Sequence, residues 1–356
     1  MRFVYNSFAG RFSDSPRAVY ERLLDQGPEH EHVWLADPDH LHGFPEGTTT
    51  VEVGSPASIA ALESADALVA NTHTEVEWTK APGALYLQTW HGTPLKRIHH
   101  DVLPTSAPGD RLARLDLDVA RWDVLLSPNR VSTERLRGAF RFGGEVVETG
   151  YPRNDLLLSP GREARRAQVR EALGIAEHTT AVLYTPTWRD DAYYAEGGIQ
   201  LALDVEAFTE RLGADVVLLP RLHYMMTSRM APLQGPGVRD VSYYPDVREL
   251  YLAADVMITD YSSTMFDFAV TGKPMVFYAY DLDAYRDSVR GLYFDLVPEA
   301  PGPVVETSGD VLDALSDLDG VRARYADRYA AFQARYCDLE DGHATDRVVD
   351  LLLRGR

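Results

Sequence analysis

Ile258-Thr259-Asp260-Tyr261-Ser262-Ser263-Thr264-Met265-Phe266-Asp267 runs from an apolar strand, through a cluster of small hydroxyl side chains, into the first turn of a helix. A strand that passes to a helix start in so few residues is the junction of a parallel α/β layer. Free backbone N–H groups and the positive end of the helix dipole face whatever binds at such a junction. Ser262, Ser263 and Thr264 add hydroxyl donors, and Asp260 and Asp267 flank them. Thr264 with Asp267 also has the form of a capping box, with Asp as a weaker partner than Glu or Gln. Both readings hold together, since a capped helix start still presents other N–H groups. The Walker lysine pattern is missing here, which argues against an ATPase loop.

Working outward, short β-type runs alternate with helical patterns along the whole chain. Strands are predicted at 32–36, 67–70, 84–88, 124–127 and 145–148, with helices at 16–24 and 131–140 between them. Asp14-Ser15 followed by Pro16 suits an N-cap and a first-turn proline. The texture changes near 154–161, where Leu158-Ser159-Pro160-Gly161 reads as a linker. A charged helix at 162–173 opens a second series, with strands at 181–185, 216–220, 255–259 and 274–278 and helices at 204–212, 247–253 and 264–271. The tail, 321–353, is helical in pattern and rich in arginine and tyrosine. The expectation is an α/β protein of two domains, 1–158 and 159–356, each around a parallel sheet. Open parallel sheets bind ligands beyond the carboxyl ends of their strands, so residues just after strands carry the functional reading.

Three further segments occupy such places. Gln88-Thr89-Trp90-His91-Gly92-Thr93-Pro94-Leu95-Lys96 follows a strand directly. Gly92 permits close backbone approach to a ligand, His91 suits a general base, and Lys96 suits a phosphate; the plainer reading is a core histidine beside a tight turn. Tyr184-Thr185-Pro186-Thr187-Trp188-Arg189-Asp190 brings a guanidinium fork to a strand end, unless Arg189 simply pairs with Asp190 on the surface. Leu219-Pro220-Arg221-Leu222-His223-Tyr224 places a second strand-end histidine in the other half. Gly272-Lys273-Pro274 and the run up to Tyr280-Asp281 read mainly as scaffold.

Composition sets limits on partners. Among 356 residues, hydrophobic types make up 45% and charged types 25%, the mix of a soluble globular protein. The formal net charge of −19 opposes nucleic-acid binding and strong docking to anionic lipid, but leaves room for a local basic pocket. No apolar run is long enough for a transmembrane helix, and the N-terminus lacks a secretory pattern. The lone Cys337 excludes a disulfide framework and a cysteine zinc site, and no metal-ligand cluster is legible from spacing. A cytoplasmic location is expected.

Taken together, Trp90–Lys96, Gly150-Tyr151-Pro152-Arg153-Asn154-Asp155, Thr185–Arg189, Thr259–Ser263, Gly272–Pro274, Tyr280-Asp281 and Asp341-Gly342-His343-Ala344-Thr345 resemble the CDP-glycerol glycerophosphotransferase family, which primes and polymerises teichoic-acid chains. The opening stretch 6–20 resembles the family's first segment. The resemblance implies a GT-B-like fold of two Rossmann-like domains facing each other across a cleft, an N-terminal acceptor domain and a C-terminal CDP-donor domain carrying the final helices. It implies a substrate, CDP-glycerol or CDP-ribitol, rather than a cofactor, a lipid-linked or polymer acceptor, and two important histidines, His91 and His223. His91 is assigned as base for the acceptor hydroxyl. His223, Arg189 and Arg221 would stabilise the pyrophosphate, which would lie at Ser262–Thr264 in place of a divalent ion; the two histidine roles can be exchanged. Gly92, Thr93, Lys96, Arg153, Thr187, Asp260 and Asp267 complete the expected substrate-binding set.

The chain departs from the polymerases in lacking a long N-terminal extension, which sets membrane attachment and processive polymerisation in question. Contact with the inner membrane face is expected to be local and peripheral, through the arginine- and tyrosine-rich tail or a partner protein. The rivals are a ribitolphosphotransferase, a GT-B sugar-nucleotide glycosyltransferase, and a silent nucleotide-binding protein.

Overall fold

The computed structural model describes residues 1–27, 29–102, 109–187, 201–222, 233–284 and 291–354. The chain divides into two compact units, Met1–Leu158 with Arg335–Arg356, and Ser159–Ala334.

The first unit is built on seven strands: β1 Arg2–Asn6, β2 Glu31–Ala36, β3 Thr50–Glu52, β4 Ala67–Ala70, β5 Leu85–Gln88, β6 Val124–Ser127 and β7 Glu145–Glu148. Their order is β3-β2-β1-β4-β5-β6-β7, and every pairing is parallel. This is a doubly wound Rossmann-like sheet, whose order reverses between β1 and β4. Successive side chains of a strand go to opposite faces. Val4 therefore joins Val33, Leu68, Tyr86, Leu125, Trp122 and Phe140 in one core, while Phe3 and Tyr5 join Trp34, Val69, Leu87 and Leu126 in the other.

The second unit has β8 Thr180–Thr185, β9 Val216–Pro220, β10 Gln234–Gly235, β11 Val238–Arg239, β12 Val256–Thr259, β13 Met275–Tyr278 and β14 Val304–Val305. The order is β10-β11-β9-β8-β12-β13-β14. Only the short β10–β11 pair is antiparallel. The order again reverses beside the unit's first strand, between β8 and β12. Val182, Tyr184, Leu218, Ile258, Val276 and Phe208 fill its core.

The tail differs from expectation. It is two helices, Leu318–Tyr336 and Ala344–Arg354, separated by a turn. The segment Arg335–Arg356 belongs to the first unit, not to the second half of the chain. The reason is apolar: Val348, Val349 and Leu352 are buried against Phe3, Tyr5, Val19, Leu23 and Trp34. Asp155 fixes the last helix's first turn, its carboxylate accepting from Ala344 N at 3.0 Å and Thr345 N at 2.7 Å. The Arg347 guanidinium donates to the Thr149 carbonyl at 2.6 Å and the Leu339 carbonyl at 3.0 Å. Asp341–Thr345 is thus a docking turn, with Gly342 at φ 82.

In the second unit, three cations gather at the C-terminal carbonyls of the helix Val247–Ala253. Arg166 donates to Leu252, Ala253 and Ala254, Arg170 to Ala253, and Lys273 to Tyr251, Leu252 and Ala254. Positive charge is favourable at a helix C-terminus. Burial, with Arg166 nearby, lowers the Lys273 ammonium to about 8. Lys273 is therefore scaffold, as expected of its segment. Asp255 ties the cluster to the sheet: it pairs with Arg166 and Arg170 and accepts from Ala181 N in β8.

Candidate active site

His91 stands three residues beyond β5, on the edge where the first sheet's strands end. Its ring Nδ1 lies 2.5 Å from the carbonyl oxygen of Asn71, which follows β4. A carbonyl only accepts, so Nδ1 carries the proton and Nε2 keeps its lone pair. Nε2 makes no hydrogen bond to any described residue. Burial is the main cause that lowers the imidazole pKa below 6.5; the Asn71 carbonyl and Asp14 raise it, while Arg153 and His73 lower it further. The ring is thus neutral near pH 7, with one tautomer selected. That is the state of a general base.

Two loops hold the ring. Trp90, at φ 55, is sharply turned, and its ring lies 4.2 Å from that of His91. Trp90 N donates to Gln88 Oε1 at 2.9 Å, which keeps the turn closed. Across from it, Phe8 and Ala9 after β1 have φ of 45° and 56°. Phe8 N donates to Asn71 Oδ1 at 2.9 Å, and its ring sits 5.3 Å from the His91 ring. Backbone strain of this kind persists where the surroundings over-determine it, and it gathers at functional sites. Phe8 and Asn71 follow β1 and β4, between which the strand order reverses, the place at which open α/β sheets bind ligands; Trp90 and His91 follow the neighbouring β5, and the His91 ring reaches Asn71 there.

The other expected residues of this unit have internal partners. Gly92 is buried, and its N–H donates to the Tyr151 hydroxyl at 3.1 Å. Thr93 Oγ1 accepts from Asn129 at 3.3 Å. Arg153 is 2% exposed, pairs with Asp14 at 3.2 Å and lies over the Tyr151 ring at 4.0 Å. These contacts hold Thr93 and Arg153 in place around the His91 segment. Lys96 is half-buried. Phe8, Asn71, Asp14 and Tyr151 surround the His91 segment, although residue-type reasoning did not select them. An Asn beyond a strand and an aromatic in a tight loop carry no chemical signature of their own.

In the second unit the reversal point joins the ends of β8 and β12. Thr185 Oγ1 donates to Thr259 Oγ1 at 3.1 Å and lies 3.2 Å from Thr264 Oγ1. Asp260, 2% exposed, accepts the Thr187 N–H with both carboxylate oxygens at 3.0 Å. Ser262, Ser263 and Thr264 remain partly exposed beside this lattice, and Asp267 is buried.

The capping box does not form. Ser263, not Thr264, precedes the helix Thr264–Ala269, and it makes no side-chain cap. Thr264 is drawn instead into the threonine cluster. Ser262 and Ser263 carbonyls accept from Met265 N and Phe266 N, and Thr264 N meets Ser262 Oγ at 3.4 Å. The donors left are the N–H groups of Ser262 and Ser263, which bond to no described atom, and the serine hydroxyls. With only six residues, the helix adds little dipole. Arg221 donates to the Val241 and Tyr244 carbonyls at 3.2 and 2.7 Å, so its head fixes that loop. His223 and Arg189 lie outside the described residues. No helix among the described residues is long and apolar enough to cross a membrane.

Comparison with known proteins agrees with this layout. The family described as CDP-Glycerol:Poly(glycerophosphate) glycerophosphotransferase matches residues 1–354. A teichoic acid glycerol-phosphate transferase of Staphylococcus aureus is 37% identical over 98% of this chain and 92% of its own length. The teichoic acid poly(glycerol phosphate) polymerase of Bacillus subtilis is 35% identical over 99% of this chain, which spans 48% of that protein. A solved structure of the wall teichoic acid polymerase TagF superposes with a TM-score of 0.91 at 34% identity, covering 99% of this chain and 88% of that one. A TagF variant soaked with CDPG gives 0.90. The fold is GT-B-like, two Rossmann-like units in one chain, and the chain belongs to the CDP-glycerol:poly(glycerophosphate) glycerophosphotransferase family.

Proposed function

We propose that this protein transfers glycerol phosphate from CDP-glycerol to a hydroxyl of a lipid-linked or polymer acceptor and releases CMP. The observation that carries this reading is His91: a half-buried imidazole beside the first sheet's reversal point, with its proton held on Nδ1 by a carbonyl and its Nε2 free to accept another. In the reaction the acceptor oxygen bonds to the phosphorus that bears the glycerol. The bond from that phosphorus to the CMP oxygen breaks, and the acceptor proton passes to Nε2. Catalysis of this type rests on positioning and on stabilising the charge that gathers on the phosphoryl and leaving oxygens.

The first unit is then the acceptor side and the second the donor side. The Ser262 and Ser263 N–H groups and hydroxyls are the proposed contacts for the pyrophosphate. Because the helix beneath them is short, Arg189 and His223 are assigned most of the opposing charge. CDP-glycerol is a substrate in this scheme, and no separate cofactor is required. Glycerol is preferred to ribitol because the relatives similar over nearly the whole chain are glycerol-phosphate enzymes. A lipid-linked acceptor would be met by peripheral contact at the cytoplasmic face of the membrane.

Calorimetry tests the donor assignment. CDP-glycerol should bind, and Ser263→Leu should weaken that binding about tenfold or more by covering the N–H donors. Folding should change by about 1 kcal/mol at most. Unchanged affinity in the folded variant would remove this loop from the site. Binding of a UDP- or GDP-sugar with none of either CDP-polyol would overturn the donor assignment.

A further inference from the structure

Behind the His91 loop, His99, His100 and Asp116 form a group that sequence spacing does not reveal. One ligand atom from each lies within 4.8 Å of the others. The turn His99–Asp101 follows the His91 segment, and Asp116 comes from the helix Gly109–Val119.

The orientation of His99 is the telling feature. Its Nδ1 lies 3.2 Å from the Ala139 carbonyl oxygen, where it can only donate, so Nε2 bears the lone pair. The side chain is 3% exposed, and Nε2 is buried without a hydrogen-bond partner. It points at Asp116 Oδ1, 3.9 Å away. A buried lone pair facing a carboxylate oxygen is unfavourable unless a proton or a metal cation lies between them. The His100 Nε2 reaches the same oxygen at 2.8 Å. The backbone at His99, with φ 48, lies in the left-handed region.

We propose that His99, His100 and Asp116 bind one divalent transition-metal ion of the zinc class, with water as the fourth ligand. Two imidazoles and a carboxylate are the donors such ions take, whereas magnesium and calcium prefer all-oxygen sets. Metal–ligand bonds of about 2.0 Å place tetrahedral neighbours roughly 3.3 Å apart. The 2.8 and 3.9 Å separations to Asp116 bracket that length. Rotation of the His100 ring, with displacement of its proton, completes the site. The Nδ1–H bond from His99 to a carbonyl is the outer-shell support that fixes a metal-bound imidazole. The role is structural. The ion would tie the turn after the His91 segment to the helix carrying Asp116. His73 stacks on His99 at 5.5 Å and meets Trp90 at 5.9 Å, which links the tie to the base of the His91 loop.

The test uses the full chain without a polyhistidine tag, stripped of metal and titrated with Co²⁺ and then Zn²⁺. One equivalent of Co²⁺ should bind with visible d–d absorption and be displaced by Zn²⁺, and Zn²⁺ should raise the melting temperature. His100→Ala and Asp116→Asn should each weaken binding at least about tenfold. His40→Ala, which alters another pair of neighbouring imidazoles, should leave it unchanged. Asp116→Asn keeps an oxygen acceptor for His100, so circular dichroism should show an intact fold. Absence of stoichiometric binding, or equal binding by the wild type and Asp116→Asn, would overturn the proposal.

Discussion

Replacing His91 by alanine should lower transfer about 10²–10⁴-fold while CDP-glycerol affinity stays nearly unchanged. A base that takes the acceptor proton acts in the transition state, so its loss falls on the rate and not on donor binding. The pH profile adds a second mark. Burial holds the His91 imidazole below the ordinary 6.5, so it stays neutral at neutral pH, and activity should fall on acidification only below that value. Removing the base should erase that limb. His223→Ala, on the proposed donor side, should lose rate and donor affinity together. The opposite pattern, with affinity lost in His91→Ala and kept in His223→Ala, would reverse the two roles. Near-normal turnover by a folded His91→Ala protein would remove His91 from the mechanism.

The largest stability effect is expected at Arg170→Met. Arg170 is 5% exposed and donates to the carbonyls of Ala176, Thr179 and Ala253 and to Asp255. Methionine fills much of the volume but satisfies none of these acceptors. Breaking a buried charged network of this kind costs about 3–5 kcal/mol. The loss should appear as a lower urea midpoint for the second unit. Asp255 supplies the pH signature. Its folded pKa lies below 3.8: burial pushes it up, but the Ala181 N–H, Arg166 and Arg170 together outweigh that. A carboxylate with a depressed folded pKa adds stability above its unfolded value and loses it as pH falls through the folded one. The difference between wild type and variant should therefore narrow below about pH 4. An unfolding free energy within about 0.5 kcal/mol of wild type would show that the network contributes little.

Much of the architecture was readable because parallel sheets leave a plain record. Strands buried on both faces read as apolar runs, and β4, β6 and β9 appear at the limits their composition suggests; β7, an exposed edge strand, showed itself by its paired valines alone. β1 carries only a short apolar run, Phe3-Val4-Tyr5, with no turn residue before it to mark a strand start. β3, β11 and β14 span only two or three residues, too few to show a period. The helix Pro56–Glu63 carried a usable signal in Ser55-Pro56, where Ser55 Oγ accepts from Ser58 N at 3.2 Å. The tail misled because helical pattern does not say which core a helix covers; only the docking of Val348 and Leu352 on Phe3 and Trp34 does.

The candidate site divides along the same line. His91 and Ser262–Thr264 stood out as candidates because reactive types follow strands there. The Asn71 carbonyl that sets the histidine tautomer is backbone, and no residue type announces it. The pairing of Arg153 with Asp14, 139 positions earlier, is a product of the fold that no local pattern shows. His99, His100 and Asp116 meet only once the chain is folded.

Product analysis decides whether the proposed transfer of glycerol phosphate takes place. The protein is incubated with CDP-glycerol and a panel of lipid-linked acceptors, with CMP release and acceptor mass followed together. The expected result is one CMP released for each glycerol phosphate added to an acceptor. Failure of both CDP-glycerol and CDP-ribitol to yield CMP or a heavier acceptor across the panel, with a sugar nucleotide giving a glycosylated product instead, would contradict it.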